Sequence, residues 1–246
     1  YGNQFGEPLT LGFTRTFGQV IGSEWREPRK PILYIGGGAV FSDASDEILE
    51  LAEMMQIPVD MTLMALGGFP GEHPLSMGML GMHGTYCANM AMHYSDLVIA
   101  VGARFDDRVT GRLDRFAPQA KIIHIDIDPS AISKNVKVDV PIVGDVKNVL
   151  KEMNKQVHRV DTDAWLKQIS VWKEKFPLWY KQTGKIKPQF VIDQMYQISK
   201  GLDPIFVADV GQHQMWGGQF VNFTKPNTYL NSGGLGTMGY ALPAAI

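Results

Sequence analysis

The 246-residue chain has a single cysteine, Cys87. One thiol forms no disulfide within the chain, which excludes a disulfide-stapled scaffold and points to a reducing compartment. Nor is there an excess of charge of either sign. Lys+Arg number 23 against 25 Asp+Glu, a net charge of −2, and no basic run asks for nucleic acid or an anionic membrane surface. Long apolar runs are missing too: stretches such as residues 97–101 are strand-sized, far short of a membrane span. No signal peptide is expected. His73, His83, His93, His124, His158 and His213 form no H-x-x-x-H pair and none pairs with Cys87, so no zinc site is expected. A G-x-S-x-G elbow and a P-loop ending in lysine are also absent.

What is present is enough apolar residue, 45%, to bury a core, in a chain long enough for two domains. Residues 32–35 form a short apolar run before Gly36, Gly37 and Gly38. Residues 46–55 then place Ile48, Leu49, Leu51, Ala52 and Met55 on one helical side, with Asp43 or Ser45 as the expected cap. Strands are expected at 59–63, 96–102 (DLVIAVG), 121–127 (KIIHIDI) and 141–144. Continuous apolar strands separated by helices imply an α/β fold with a parallel, Rossmann-like sheet covered on both faces. Residues 151–187, charged and carrying Trp165, Trp172 and Trp179, read as a helical linker. The rhythm then restarts with a helix from Pro188 to Ser199, its proline suited to the first turn, and strands at 204–210 and 228–231. Phe13, Phe17, Val20 and Ile21 fall at helical spacing among glycines. The expected division is 1–30, an N-terminal helix or linker; 31–150, a first α/β domain; 151–187, the linker; and 188–246, an incomplete second α/β domain. The chain opens on Tyr1 and stops at Ile246 within the apolar run 240–246, and it is read as a fragment of a longer protein.

Four places carry chemistry. Gly36–Gly38 between strand and helix suits a backbone that approaches a phosphate, and equally a tight turn with no ligand. Residues 102–112 (GARFDDRVTGR) crowd three arginines and two aspartates directly after a core strand. Ligands of parallel sheets bind there, and Gly102, Arg104, Asp106, Asp107 and Arg108 are the candidates. Guanidinium forks suit phosphate or carboxylate; a solvated loop of ion pairs is the plainer reading. Asp126 ends its strand, where an acid accepts from ribose hydroxyls, or caps a helix starting near Ser130. Residues 234–239 (GLGTMG) match G-x-G-x-x-G, a weak sign of nicotinamide binding without the acidic residue further on.

Taken together, PILYIGGGA (31–39), LGMHGT (80–85), GARFDDRVTG (102–111), DVGQHQMW (209–216) and SGGLGTMGYALPAAI (232–246) resemble acetohydroxyacid synthase catalytic subunits, members of the thiamine-diphosphate enzymes. The resemblance runs from about Arg29 to Ile246. It implies a central FAD-binding domain followed by the start of a thiamine-diphosphate-binding domain. Gly36, Gly37, Gly38 and Arg104 would then hold the FAD diphosphate. Thr62, Leu63 and Met64, with Leu80, Gly81, Met82 and His83, would line the flavin. Asp126 and Ile127, with Gly144, Asp145 and Val146, would hold the adenosine end. Asp107 and Arg108 would face the active-site channel, Arg108 binding the carboxylate of the second ketoacid. Val210, Gly211, Gln212 and His213 would contact thiamine diphosphate. Gly236 would offer its carbonyl to the aminopyrimidine, and Met238 would wedge beneath the cofactor.

The implied reaction is decarboxylation of pyruvate and condensation with a second pyruvate or 2-ketobutyrate, in branched-chain amino-acid biosynthesis, with FAD structural. Mg2+ is implied too, its ligands outside this chain, and the fragment alone is expected to be inactive. The resemblance also implies a homo-oligomer, a regulatory small subunit, and a cytoplasmic, plastid or mitochondrial location. Competing readings are a pyruvate oxidase, glyoxylate carboligase or oxalyl-CoA decarboxylase; a nicotinamide oxidoreductase; and a non-catalytic nucleotide-binding module. LGMHGT and RFDDRVTG argue against the first group.

Overall fold

The computed structural model describes residues 28–246. The helical spacing at Phe13, Phe17, Val20 and Ile21 lies outside them. The expected parallel sheet is present, with six strands: β1 (Pro31–Ile35), β2 (Val59–Met61), β3 (Ser76–Met79), β4 (Leu97–Val101), β5 (Lys121–Asp126) and β6 (Val140–Val143). Their order is β3-β2-β1-β4-β5-β6 and every neighbouring pair is parallel. The chain builds outward from β1 to β3, then returns to β4 and builds the other way. β1 and β4 therefore lie side by side where the winding reverses, which is where open α/β sheets bind ligands.

Each strand is apolar throughout because each of its faces is covered. Along β1, Leu33 and Ile35 join one core and Ile32 and Tyr34 the other, all within 1% of full burial. Burying a side chain of this size stabilises by about 1.5–3 kcal/mol. The first face is covered by α1 (Gly37–Phe41), α2 (Ser45–Met55) and α5 (Val146–Asn154). Helix α5 buries Val146, Leu150 and Met153, a stripe at helical spacing. The second face is covered by α3 (Tyr86–Tyr94) and α6 (Asp163–Lys175), while α4 (Asp107–Thr110) is a single turn after β4. The tryptophan-rich segment, expected to be a helical linker, supplies α6. Trp165 is 3% exposed and its indole N–H donates to the Pro31 carbonyl at 3.2 Å. Residue 150, the expected domain edge, falls inside α5.

Several local expectations are corrected. Neither Asp43 nor Ser45 caps α2: the cap position is Ala44, without a side-chain bond, and Asp43 turns away at φ 53 to pair with Lys147 at 2.8 Å. No helix starts near Ser130; Asp128 instead accepts from the Ser130 N–H at 2.8 Å, closing a local turn. Strand β3 and helix α3 escaped the pattern reading, since Ser76 and Gly78 interrupt the apolar run.

Beyond α6, α7 (Pro188–Ser199) begins on its proline as expected. It is followed by β7 (Phe206–Ala208), α8 (Gln212–Phe220), β8 (Tyr229–Asn231) and α9 (Ala241–Ala245), with β7 and β8 parallel. This second unit packs on the C-terminal ends of β2 and β3. The Gly71 N–H donates to Phe223 at 2.8 Å, Gln219 donates to the His83 carbonyl at 2.8 Å, and Glu72 meets Tyr196 and Lys200. Among the described residues no helix is long and apolar enough to cross a membrane.

Candidate functional site

The candidate flavin residues line one edge. Gly36–Gly38 follow β1, Thr62–Met64 follow β2, Leu80–His83 follow β3, Gly102–Arg108 follow β4, Asp126 and Ile127 end β5, and Gly144–Val146 follow β6. All stand at the C-terminal ends of parallel strands, so their neighbourhood is a direct product of the winding. Loops of this edge are also stitched to one another: the Met82 N–H donates to the Arg108 carbonyl and the Gly144 N–H to the Asp126 carbonyl.

The three glycines after β1 have a cause the sequence pattern does not show. A Cβ on Gly36 would stand 2.2 Å from the Gly102 carbonyl oxygen, and one on Gly38 2.9 Å from the Gly102 Cα. The ends of β1 and β4 cross in contact, and the Gly36 and Gly38 amides donate to the carbonyls of Val101 and Gly102. Two of the three amides are thus consumed by the protein itself. The Gly37 amide, at the first position of α1, has no carbonyl to reach within its helix.

The loop after β4 turns on Phe105. It is a non-glycine residue at φ 51, a left-handed conformation that costs about 1–2 kcal/mol. Its ring is 2% exposed, between Tyr34, Phe116 and His124 at centroid distances of 5.6, 5.9 and 5.1 Å. Asn135 donates to its carbonyl at 2.9 Å. Burying Phe105 this way sends Arg104 outward, where it meets Asp106 at 2.9 Å with its side chain 68% exposed. Asp106 caps α4 by accepting from the Arg108 N–H. Its carboxyl is held below the usual range by a hydrogen bond with Asp107, then by that N–H and the Arg104 and Arg108 charges.

Asp145 is already engaged: it caps α5 and accepts from Ser42 Oγ at 2.6 Å, and that hydroxyl in turn accepts from the Lys147 N–H. Ser42 was not singled out by sequence, because its partner lies 103 residues away. Asp126 accepts from the Asp128 N–H at 2.9 Å. His124, buried beside it at 3.7 Å, has its basicity lowered by burial, opposed by the Asp126 charge.

The residues present fit a flavin dinucleotide on this edge. Thr62 Oγ1 is buried there without a protein partner, and Met64, Met82 and Ile127 expose apolar side chains to water along the same edge. An apolar ring system with polar handles would satisfy both features.

In the second unit the two candidate thiamine stretches come together. A Cβ on Gly236 would find Val210 Cγ1 at 4.0 Å as its only neighbour. Gln212 and His213 open α8 exposed, and Met238 and Leu235 stand 73% and 94% exposed on the loop after β8. These apolar tips fit a heteroaromatic cofactor. The nicotinamide reading of 234–239 fails on chemistry: the Gly239 N–H points at the Asp209 carboxylate at 2.9 and 3.1 Å, where a pyrophosphate would be repelled. Asp209 was overlooked by sequence, although it ends an apolar run as Asp126 does. The two units meet at the site as well, since Met64 Sδ lies 2.6 Å from where a Cβ on Gly233 would stand. Among the described residues no group of three or more His, Cys, Asp or Glu is placed to hold a metal ion.

Comparison with known proteins agrees with this geometry. Residues 26–153 match the family model for the thiamine pyrophosphate enzyme central domain, and residues 209–246 that for the thiamine pyrophosphate enzyme C-terminal TPP-binding domain. The chain is 51% identical over 225 residues to the acetolactate synthase large subunit of Buchnera aphidicola subsp. Schizaphis graminum, covering 89% of this chain and 39% of the relative. It is 53% identical over 227 residues to the acetolactate synthase large subunit of Corynebacterium glutamicum, covering 89% and 36%. With the acetolactate synthase of Mycobacterium bovis the identity is 50% over 226 residues, covering 89% and 36%. The chain thus spans well under half the length of these curated relatives. With one family model matched along half of its length and a second from the end of β7 to Ile246, the chain belongs to the thiamine pyrophosphate enzymes.

Proposed function

We propose that the intact protein is an acetolactate synthase, joining pyruvate to a second 2-ketoacid, pyruvate or 2-ketobutyrate, with release of carbon dioxide. The reading is supported above all by the juxtaposition of the two candidate cofactor surfaces, Thr62–Met64 against Gly233, in a chain about half identical to acetolactate synthases. Thiamine diphosphate, when bound, supplies a carbon nucleophile and an electron sink for the decarboxylation. The chain's own residues bind and orient. Val210–His213 and the Gly236 carbonyl hold the thiamine side, and Met238 supports it from an exposed position. Arg108, exposed on the turn after β4, offers a planar fork to the ketoacid carboxylate. Arg104 and the Gly37 amide would hold the diphosphate of FAD, and Met64, Met82 and the buried Thr62 hydroxyl would line its flavin, which would serve a structural role. Mg2+ is assigned no ligand among the residues of this chain. The intact protein would work as a homo-oligomer with a regulatory small subunit, and the designation of two relatives as large subunits supports a smaller partner.

The test is product analysis on the intact protein with pyruvate, thiamine diphosphate, Mg2+ and FAD. Acetolactate is expected, and Arg108→Ala is expected to raise the ketoacid KM about tenfold or more by removing a charge-assisted pair. Pyruvate consumption that yields peroxide or acetaldehyde without acetolactate would discard the reading.

A further inference from the structure

Among the described residues Asp209 is the one carboxylate that joins the two candidate thiamine stretches. It sits directly after β7 and accepts from three backbone N–H groups: its neighbour Val210 at 3.0 Å, Gly239 at 2.9 Å and Tyr240 at 3.4 Å. The last two belong to the far arm of the loop after β8, some 30 residues away. The near arm closes on itself instead, the Gly236 N–H donating to the Ser232 carbonyl and the Thr237 N–H to Ser232 Oγ at 3.1 Å. Met238 lies between these two anchors with no buried contact of its own, 73% exposed. Gly239 adopts φ 82, so the backbone just past Met238 turns sharply, and the Asp209 carboxylate is what holds the amides that this turn presents.

We propose that Asp209 is a positioning residue for thiamine diphosphate: its carboxylate fixes the far arm of residues 232–240 and thereby sets where Met238 and the Gly236 carbonyl stand relative to Val210–His213. The inference rests on the thiamine-site reading of these loops and assigns Asp209 no contact with the cofactor. A carboxylate suits the task because it takes several N–H groups at once, and bonds from N–H to a charged acceptor are about twice as strong as neutral ones. An alanine here leaves those amides to water and the loop tied at one end only. An asparagine keeps one acceptor oxygen and the side-chain volume, but turns an NH2 toward the amides.

The experiment uses the intact protein as wild type, Asp209→Ala and Asp209→Asn, stripped of cofactor and titrated with thiamine diphosphate and Mg2+. Three readouts are taken: fluorescence quenching for affinity, the near-ultraviolet circular dichroism of the bound aminopyrimidine, and kcat and KM for pyruvate at saturating cofactor. Asp209→Ala is expected to weaken thiamine diphosphate binding about tenfold or more, the loss of at least one charge-assisted hydrogen bond. The dichroism of the bound ring should change and kcat should fall, while the pyruvate KM stays within about twofold, because the ketoacid is held elsewhere. Asp209→Asn should recover part of the affinity. Wild-type affinity and dichroism in Asp209→Ala, with only the melting temperature lowered, would reduce Asp209 to a structural cap and overturn the proposal. Should the alanine variant fail to fold, unchanged affinity and dichroism in Asp209→Asn overturn it equally. A wild-type protein that binds no thiamine diphosphate sinks the thiamine-site reading and this inference with it, a failure distinct from the other two.

Discussion

Each unit carries a glycine-rich turn after a strand, and the two are held by opposite means. At Gly36–Gly38 the backbone does the work. β1 and β4 end in mutual contact, the amides of Gly36 and Gly38 are taken by Val101 and Gly102, and no side chain ties the turn. At residues 234–239 the space around the glycines is open, and a side chain, Asp209, takes the amide of Gly239 instead. Aspartates divide the same way. Asp209 is saturated with N–H donors, whereas Asp60, on β2 of the first unit, is wholly buried with neither carboxylate oxygen hydrogen-bonded. A glycine pattern therefore reports that backbones come close or turn sharply. Which of these it is, and whether a ligand is involved, is decided by neighbours the pattern does not contain.

The sharpest way to break this contrast is Gly36→Ala. Its methyl carbon would stand 2.2 Å from the Gly102 oxygen and 2.6 Å from the Ala103 Cα, all backbone, with no flexible side chain to yield. The β1–β4 crossing must open, and a loss of about 3 kcal/mol or more is expected, at the severe end of overpacking. Urea unfolding of the intact protein measures it as a lowered midpoint. A variant of wild-type stability would show that the crossing is compliant, and that these glycines serve a ligand after all.

Asp60 sharpens the contrast from the other side. Burial raises its carboxyl pKa well above the ordinary value of 3.8, and only the charge of Lys173 opposes this. The folded state binds the proton more tightly than the unfolded chain, so stability falls as pH rises above the unfolded pKa, until the raised folded value is passed. Lys173 does not rescue the carboxylate: its ammonium donates to the carbonyls of Pro74 and Ser76 at 2.8 and 2.7 Å. The Asp60 charge also reaches Cys87, whose thiol burial pushes up to about 11, and Tyr34, whose hydroxyl is raised first by burial and then by Asp60. Asp60→Val is expected to stabilise the protein by about 1–3 kcal/mol at neutral pH, since an unpartnered polar group is removed. It should also flatten the fall in stability with rising pH. Melting temperatures of both proteins from pH 4 to pH 8 provide the check, and parallel curves would mean that Asp60 finds a partner in solution.

How much of this was legible in the sequence follows the same division. Continuous apolar strands announced the parallel sheet, and Pro188 marked the start of α7, because both signals are local. Most flavin candidates stood at the end of an expected strand, so placing those strands placed most of the edge; Leu80–His83 follow β3, which the pattern missed. What could not be read were partners distant along the chain: Ser42 with Asp145, Asp209 with Gly239, Gly36 with Gly102. Phe105 escaped for another reason, since no pattern predicts a buried aromatic at positive φ. The helical character of 151–187 was legible, but not that α6 buries Trp165 and Ile169 against the sheet, because charged residues on its outer side mask them.

The smallest effect on stability is the most telling for the site. Arg104 pairs with Asp106 at 2.9 Å, but their side chains are 68% and 38% exposed, and such pairs contribute about 0–1 kcal/mol. Arg104→Ala should therefore leave the unfolding midpoint of the flavin-free protein nearly unchanged. If the edge holds the FAD diphosphate, the same change should strip flavin from the purified protein, measured as fluorescence released on denaturation, because a guanidinium held outward by the buried Phe105 is positioned for an anion. Flavin content equal to wild type would leave Arg104 a solvated ion pair and move the diphosphate elsewhere along the edge. Lost flavin with intact stability would separate the two glycine turns by function as well as by construction, the first serving a phosphate through its neighbouring arginine and the second tied off by its own aspartate.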